Sequence, residues 1–213
     1  MTDLPNSRIS SRKQPKQARS TELVATILEA AVQVLAKEGA SRFTTARVAE
    51  KAGVSVGSLY QYFPNKAAIL FRLQSDEWRE TTHLWKAILG DTAKSSLQRL
   101  RILVHTFFRS ECDEATVRVA LDDAAPLYRD APEAQDVRAE GDRVIEAFMR
   151  EALPNTADET RELAGDLIFT TLSAAGKSFS ETPRSVVEIE DYADAMADML
   201  CAYLKTLSEH VED

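Results

Sequence analysis

Apolar residues in this chain recur at three- and four-residue spacing nearly from end to end, while clean alternation is hard to find. That period places one apolar stripe on a helix, so the pattern predicts an all-α protein. Only seven Gly and seven Pro punctuate the 213 residues, and most of the prolines stand near apparent element ends. A chain of this length buries a sizeable core, in one or two domains. No apolar stretch approaches the ~18–20 residues that a membrane span needs. Residues 1–17 are polar and basic, without the apolar block of a signal peptide. Cys112 and Cys201 lie far apart and form no CxxC. A cytoplasmic location in a reducing compartment, with no membrane partner, is the expectation.

Charge is informative once it is divided along the chain. Residues 1–72 carry eleven Lys/Arg against five Asp/Glu, a net of +6, whereas the remainder carries 15 against 29, a net of −14. A basic head on an acidic body suggests that one end meets a polyanion.

Capping residues divide the periodic segments. A first helix is expected from about Ser20 to Glu38, burying Ile27, Ala31, Val34 and Leu35, with Gly39 as its terminating residue. Thr44 is placed to cap a short helix over 45–51, with Phe43 and Val48 at the positions of a hydrophobic staple. Gly53 ends it, Ser55 caps a very short helix over 56–62, and Asn65 caps a longer one reaching Leu89. Further helices are expected at about 92–111, 114–125, 133–153, 158–179 and 187–209.

The segment TTARVAEKAGVSVGSLYQYF, Thr44 to Phe63, has the internal logic of a helix-turn-helix. Ala49 is small where two helices must approach, Gly53 supplies the positive φ of a tight turn, and Val48, Val54 and Leu59 supply the contacts between the pair. The second helix opens on Val56-Gly57-Ser58, which let its start approach a base edge or phosphate, and Gln61 follows one turn after Ser58 on the same face.

The stretch from Ala18 to Leu70, and its ending LYQYFPNKAAIL above all, resembles the N-terminal domain of TetR/AcrR-family transcriptional regulators. The resemblance covers about residues 18–72. It implies a homodimeric repressor that binds near-palindromic double-stranded DNA and is released by a small-molecule effector. Domains would then be a flexible basic arm (1–17), a three-helix helix-turn-helix domain (18–72) and a helical ligand-binding and dimerisation domain (73–213). Carried over by position, Thr45, Tyr62 and Lys66 would meet phosphates, and Val56, Gly57, Ser58 and Gln61 would face the groove. Arg47 and Tyr60 are further DNA-contact candidates. Lys13, Lys16 and Arg19 in the arm would add phosphate contacts that position without specifying sequence.

Beyond residue 72 the sequence is less explicit. Trp85, His105, Phe108, Arg118, Asp122, Tyr128 and Phe148 are the candidates for lining a ligand cavity, although bulky residues of a helical domain are most often plain core. The resemblance points to the last two long helices for dimerisation. Their stripes are Leu163, Leu167, Ile168, Thr171, Leu172 and Ala175, then Tyr192, Met196, Met199, Leu200, Tyr203, Leu204 and Leu207, and each could equally be intramolecular core. His83, His105 and His210 share no ligand spacing, so no metal site is expected. Neither HExxH, GxSxG, a P-loop nor GxGxxG occurs, so no catalytic residue and no cofactor is expected and an enzyme is disfavoured.

Overall fold

Capping chemistry sets the limits of the N-terminal helices in the computed structural model, which describes residues 9–10 and 18–209. Helix α1 (Ala18–Arg42) is broken at Gly39, whose φ of 73° and ψ of 171° interrupt it before a last turn to Arg42. Helix α2 (Thr45–Ala52) starts on Thr44, whose hydroxyl accepts from the Arg47 N–H at 3.3 Å. It ends on Gly53 at φ 67°, with the Gly53 N–H bonded to Glu50 O and the Val54 N–H to Ala49 O. That pair of bonds is the Schellman closure, and it needs a residue that enters the left-handed region cheaply. Helix α3 (Val56–Tyr60) starts on Ser55, which accepts from the Ser58 N–H at 3.0 Å. It is two residues shorter than the sequence predicts, since Gln61 and Tyr62 form a turn that stays bonded to Ser58 and Leu59 through their N–H groups. Helix α4 (Lys66–Leu89) follows Asn65, which accepts from the Ala68 N–H at 2.8 Å.

The later helices are α5 (Ser96–Asp113), α6 (Ala115–Ala124), α7 (Pro132–Ala152), α8 (Asp158–Ser180) and α9 (Val186–Glu209). A 3-10 turn, Ala125–Leu127, joins α6 to the segment before α7. No strand occurs among the described residues, so the fold is all-α. Helix α5 begins four residues later than its periodicity suggests. Residues 90–94 are tied into a turn of their own, and Ser95 with Gln98 forms a reciprocal capping box at 3.3 and 2.9 Å. None of these helices is long and apolar enough to cross a membrane.

Two compact units result: Met1–Trp78 with Thr116–Arg138, and Arg79–Ala115 with Ala139–Asp213. The first has a core of Ile27, Ala31, Leu35, Phe43, Leu59 and Phe63, joined by Leu121 and Tyr128. Of the arm expected at residues 1–17, Ile9 and Ser10 are described, and Ile9 is buried in this core. The Tyr128 hydroxyl donates to Leu121 O at 2.9 Å and lies 3.2 Å from Gln74 Oε1, and burial pushes this phenol above its usual pKa.

The second unit packs α5 against α8 and α9. Its core takes Ile168 and Leu172 from α8, and Met196, Leu200 and Leu204 from α9. These residues therefore belong to the chain's own interior, and Leu200 is only 4% exposed. The outward parts of the two stripes are Leu163, Leu167, Tyr192 and Met199. Helices α5 and α8 approach closely at Gly176, where an added Cβ would lie 2.5 Å from Phe107 Cε1. Gly176→Ala is accordingly expected to destabilise the protein by about 1–3 kcal/mol through overpacking. Urea unfolding followed by circular dichroism measures this, and an unchanged midpoint would show that α5 and α8 have slack there.

Candidate nucleic-acid interface

A helix of five residues cannot hold itself together, so the position of α3 is imposed by its surroundings. Leu59 anchors it from below, fully buried against the core that also takes Val48 and Ala49 of α2. The Gly53–Val54 turn then fixes the direction in which α3 leaves α2. A further link ties the far end of α3 to the start of α2, because the Tyr60 hydroxyl and Thr45 Oγ1 share a hydrogen bond of 3.1 Å. With its inner side spent on packing, α3 presents Val56, Gly57 and Tyr60 to solvent, with Ser58 half-buried and Gln61 exposed in the turn that follows. Such a rigid, short helix with an exposed start is suited to entering a DNA groove.

The remaining residues expected to contact DNA fall in different settings. Thr45 and Lys66 are half-buried at the first positions of α2 and α4. Tyr62 is 8% exposed and counts in the core, so only a small edge of it reaches the surface. Arg47 is engaged within the chain: its guanidinium pairs with the Glu38 carboxylate and donates to Arg42 O at 3.1 Å. This clamp holds α2 to the kinked end of α1, and sequence spacing did not reveal Glu38 as a partner. Lys13 and Lys16, and the side chain of Arg19, lie outside the described residues.

The seven candidates for a ligand cavity are divided between the units. Arg118, Asp122 and Tyr128 belong to the first, and Trp85, His105, Phe108 and Phe148 to the second. In the first, Arg118 pairs with Glu77 at 3.0 Å, and Asp122 is exposed. In the second, Trp85 packs on Phe169 with ring centroids 5.1 Å apart, and Phe148 lies beneath the buried Arg99 guanidinium. Phe108 sits among Phe107, Phe179 and Tyr192. The ring nitrogens of His105 face Glu190 at 3.2 Å and Asp194 at 3.1 Å. Arg109 also pairs with Glu190 and holds its carboxyl below the usual range, with a smaller contribution from His105. Both cysteines are free, and burial pushes their thiols up. Among the described residues, no three His, Cys, Asp or Glu side chains gather as a metal site.

Comparison with known proteins agrees with this architecture. Residues 27–73 match the family model described as bacterial regulatory proteins of the tetR family. Residues 95–207, more than half of the chain, match the tetracyclin repressor-like C-terminal domain. The nucleoid occlusion factor SlmA of Vibrio campbellii is 40% identical over 81 residues, covering 37% of this chain and 40% of that protein. The HTH-type transcriptional regulator TtgR of Pseudomonas putida is 32% identical over 109 residues, covering 51% of each. The chain thus spans about half or less of the length of these curated relatives. Among solved structures, FadR of Bacillus subtilis in complex with stearoyl-CoA superposes with a TM-score of 0.65 at 17% identity, covering 84% of this chain and 96% of that one. An N-terminal helix-turn-helix and a helical body, each matching its own model, show that the chain belongs to the TetR family of bacterial transcriptional regulators.

Proposed function

We propose that this protein is a homodimeric repressor that binds a near-palindromic operator through α2 and α3 and releases it when a small molecule binds the helical body. The observation that carries the reading is the α2–turn–α3 geometry, in which a short helix is fixed on its inner side and left bare on its outer side. Lys66 and Thr45 would meet phosphates and set the register, while Val56, Gly57, Ser58 and Gln61 would face base edges. Tyr60 supports this surface through Thr45. Arg47 acts through its clamp on Glu38 more than through DNA. The FadR structure solved with stearoyl-CoA supports the idea that a body of this fold takes a small-molecule effector.

The proposed dimer contact uses the outer faces of α8 and α9. On α8, Leu163 and Leu167 are 64% and 48% exposed and stand one turn apart. On α9, Met199 is 51% exposed, and Ala195 and Ala202 flank it on the same face, also exposed. Small residues around a few large apolar ones let two helix pairs approach closely and bury the protruding side chains. A two-fold dimer would also match the symmetry of a palindromic site.

Three outcomes are expected. Against a duplex selected from genomic fragments, affinity should fall steeply with salt, and Lys66→Ala should lower the slope of log affinity against log salt by about 1. Gln61→Ala should also relax the selected consensus, since a base-edge contact is worth ~1–3 kcal/mol of discrimination. Anisotropy titrations measure both, and a protein with no preference for any genomic duplex over random DNA would refute the operator reading. Met199→Glu should leave the monomer folded but abolish dimerisation and specific binding together, because it places a carboxylate in the contact without touching the chain's own core. Sedimentation reads this directly, and a folded Met199→Glu dimer with full operator affinity would move the interface elsewhere.

A further inference from the structure

We propose that Val56 and Gly57 together form an apolar notch that receives the C5-methyl group of a thymine in the major groove. This rests on the DNA-reading role proposed above for α3.

The argument begins with the glycines. Inside a helix, glycine is less stable than alanine, so a helical glycine needs a reason. At five of the other six glycines the reason is internal. Gly39 and Gly53 have positive φ, and a Cβ at Gly90, Gly165 or Gly176 would come within 2.7, 3.3 or 2.5 Å of a neighbouring atom. Gly141 is half-buried, and a Cβ there would make an ordinary 3.4 Å contact with Thr82 Oγ1. Gly57 is exposed within α3, its φ is not positive, and apart from its two chain neighbours and the helix's own backbone its Cβ would come within 4 Å of Ser55 Oγ alone, at an ordinary 3.7 Å. The fold would accept alanine here, so the missing side chain leaves room for something outside the chain.

The neighbouring side chain indicates what that is. Val56 opens α3 and is 39% exposed, a branched apolar group next in sequence to the bare Cα of Gly57. A polar base edge pressed against it would lose its water without gaining a partner. The major groove offers one protruding apolar group, the thymine methyl. Its size suits the space a Cβ would otherwise fill, and Val56 would form one wall of the notch.

The test uses the full-length protein and the selected genomic duplex, with each thymine replaced singly by deoxyuridine, which removes the methyl group and leaves the base pair intact. At one or more positions the replacement should weaken wild-type binding about three- to fourfold, the size expected for one buried methyl. Gly57→Ala should weaken binding to the thymine duplex about tenfold or more, while its Tm stays level or rises by up to about 2–4 °C. The same deoxyuridine should recover part of that loss, because the base methyl has made way for the new Cβ. Val56→Ala removes one wall without adding bulk, and should become insensitive to that deoxyuridine. Wild-type affinity in Gly57→Ala would overturn the proposal, as would a loss that no deoxyuridine relieves or a Val56→Ala variant with undiminished sensitivity. A wild-type protein that prefers no duplex would instead overturn the operator reading on which the notch rests.

Discussion

Leu59 is the side chain on which the reading surface depends. Helix α3 has five residues, about one and a half turns, and the conformational entropy of ordering so few is not recovered by their own hydrogen bonds. Burial of Leu59 in the core that also takes residues of α1 and α2 supplies the missing stability, and the Ser55 cap contributes about 1 kcal/mol more. The remaining positions of α3 are thereby released from any duty to the core. That division explains how an exposed valine and an unprotected glycine are tolerated in the same short element: the head concentrates its stabilising contacts on one side so that the other can be shaped for a ligand.

In the second unit the corresponding problem is the alignment of long helices. Helices α5 and α9 run antiparallel, and Arg101, His105 and Arg109 meet Asp198, Asp194 and Glu190 along their shared edge. These groups are mostly well exposed, and such pairs contribute little stability individually. Their even spacing discriminates only weakly between registers, since sliding α9 by a turn would re-pair two of the three cations and leave one without a carboxylate. Stability comes instead from the apolar side of the same helices, where Phe108, Leu200 and Leu204 are buried. Arg99 departs from this pattern. Its side chain is 2% exposed, and its guanidinium binds Glu151 and Leu89 O, tying the end of α7 to the end of α4.

Sequence was most legible where structure is local. Thr44, Ser55 and Asn65 act on backbone groups three residues away, and Gly53 acts on its own φ, so their roles could be read from spacing alone. The burial of Ile27, Ala31, Val34 and Leu35 was legible for the same reason. What escaped was set by contacts far apart in sequence. Arg47 finds Glu38 because α1 breaks at Gly39, and His105 finds Glu190 and Asp194 across 85 and 89 residues. The α9 stripe mixed two fates, since Leu200 turns inward and Met199 outward, and apolarity alone could not separate adjacent residues. The late start of α5 is the exception, set by a signal as local as the other caps: the box of Ser95 and Gln98, with Ala93 the one apolar residue between 92 and 96.

The distribution of charge acquires a more exact meaning from these contacts. Residues 1–72 carry eleven cations, yet two described ones are already occupied within the chain: Arg47 by Glu38 and Arg72 by Asp76, at 2.7 Å for the latter. A cation that holds a carboxylate releases fewer counterions on meeting a phosphate, because part of its field is already neutralised. The salt dependence of binding should therefore reflect fewer than eleven phosphate neutralisations per head, each adding about −0.9 to the slope. The paired arginines serve a different end. Arg47 links α2 to the end of α1, where a fixed guanidinium limits how the two can rock, whereas Arg72 pairs with Asp76 one turn further along α4 itself. Charge in the head is thus shared between attraction to a polyanion and rigidity of the surface that reads it.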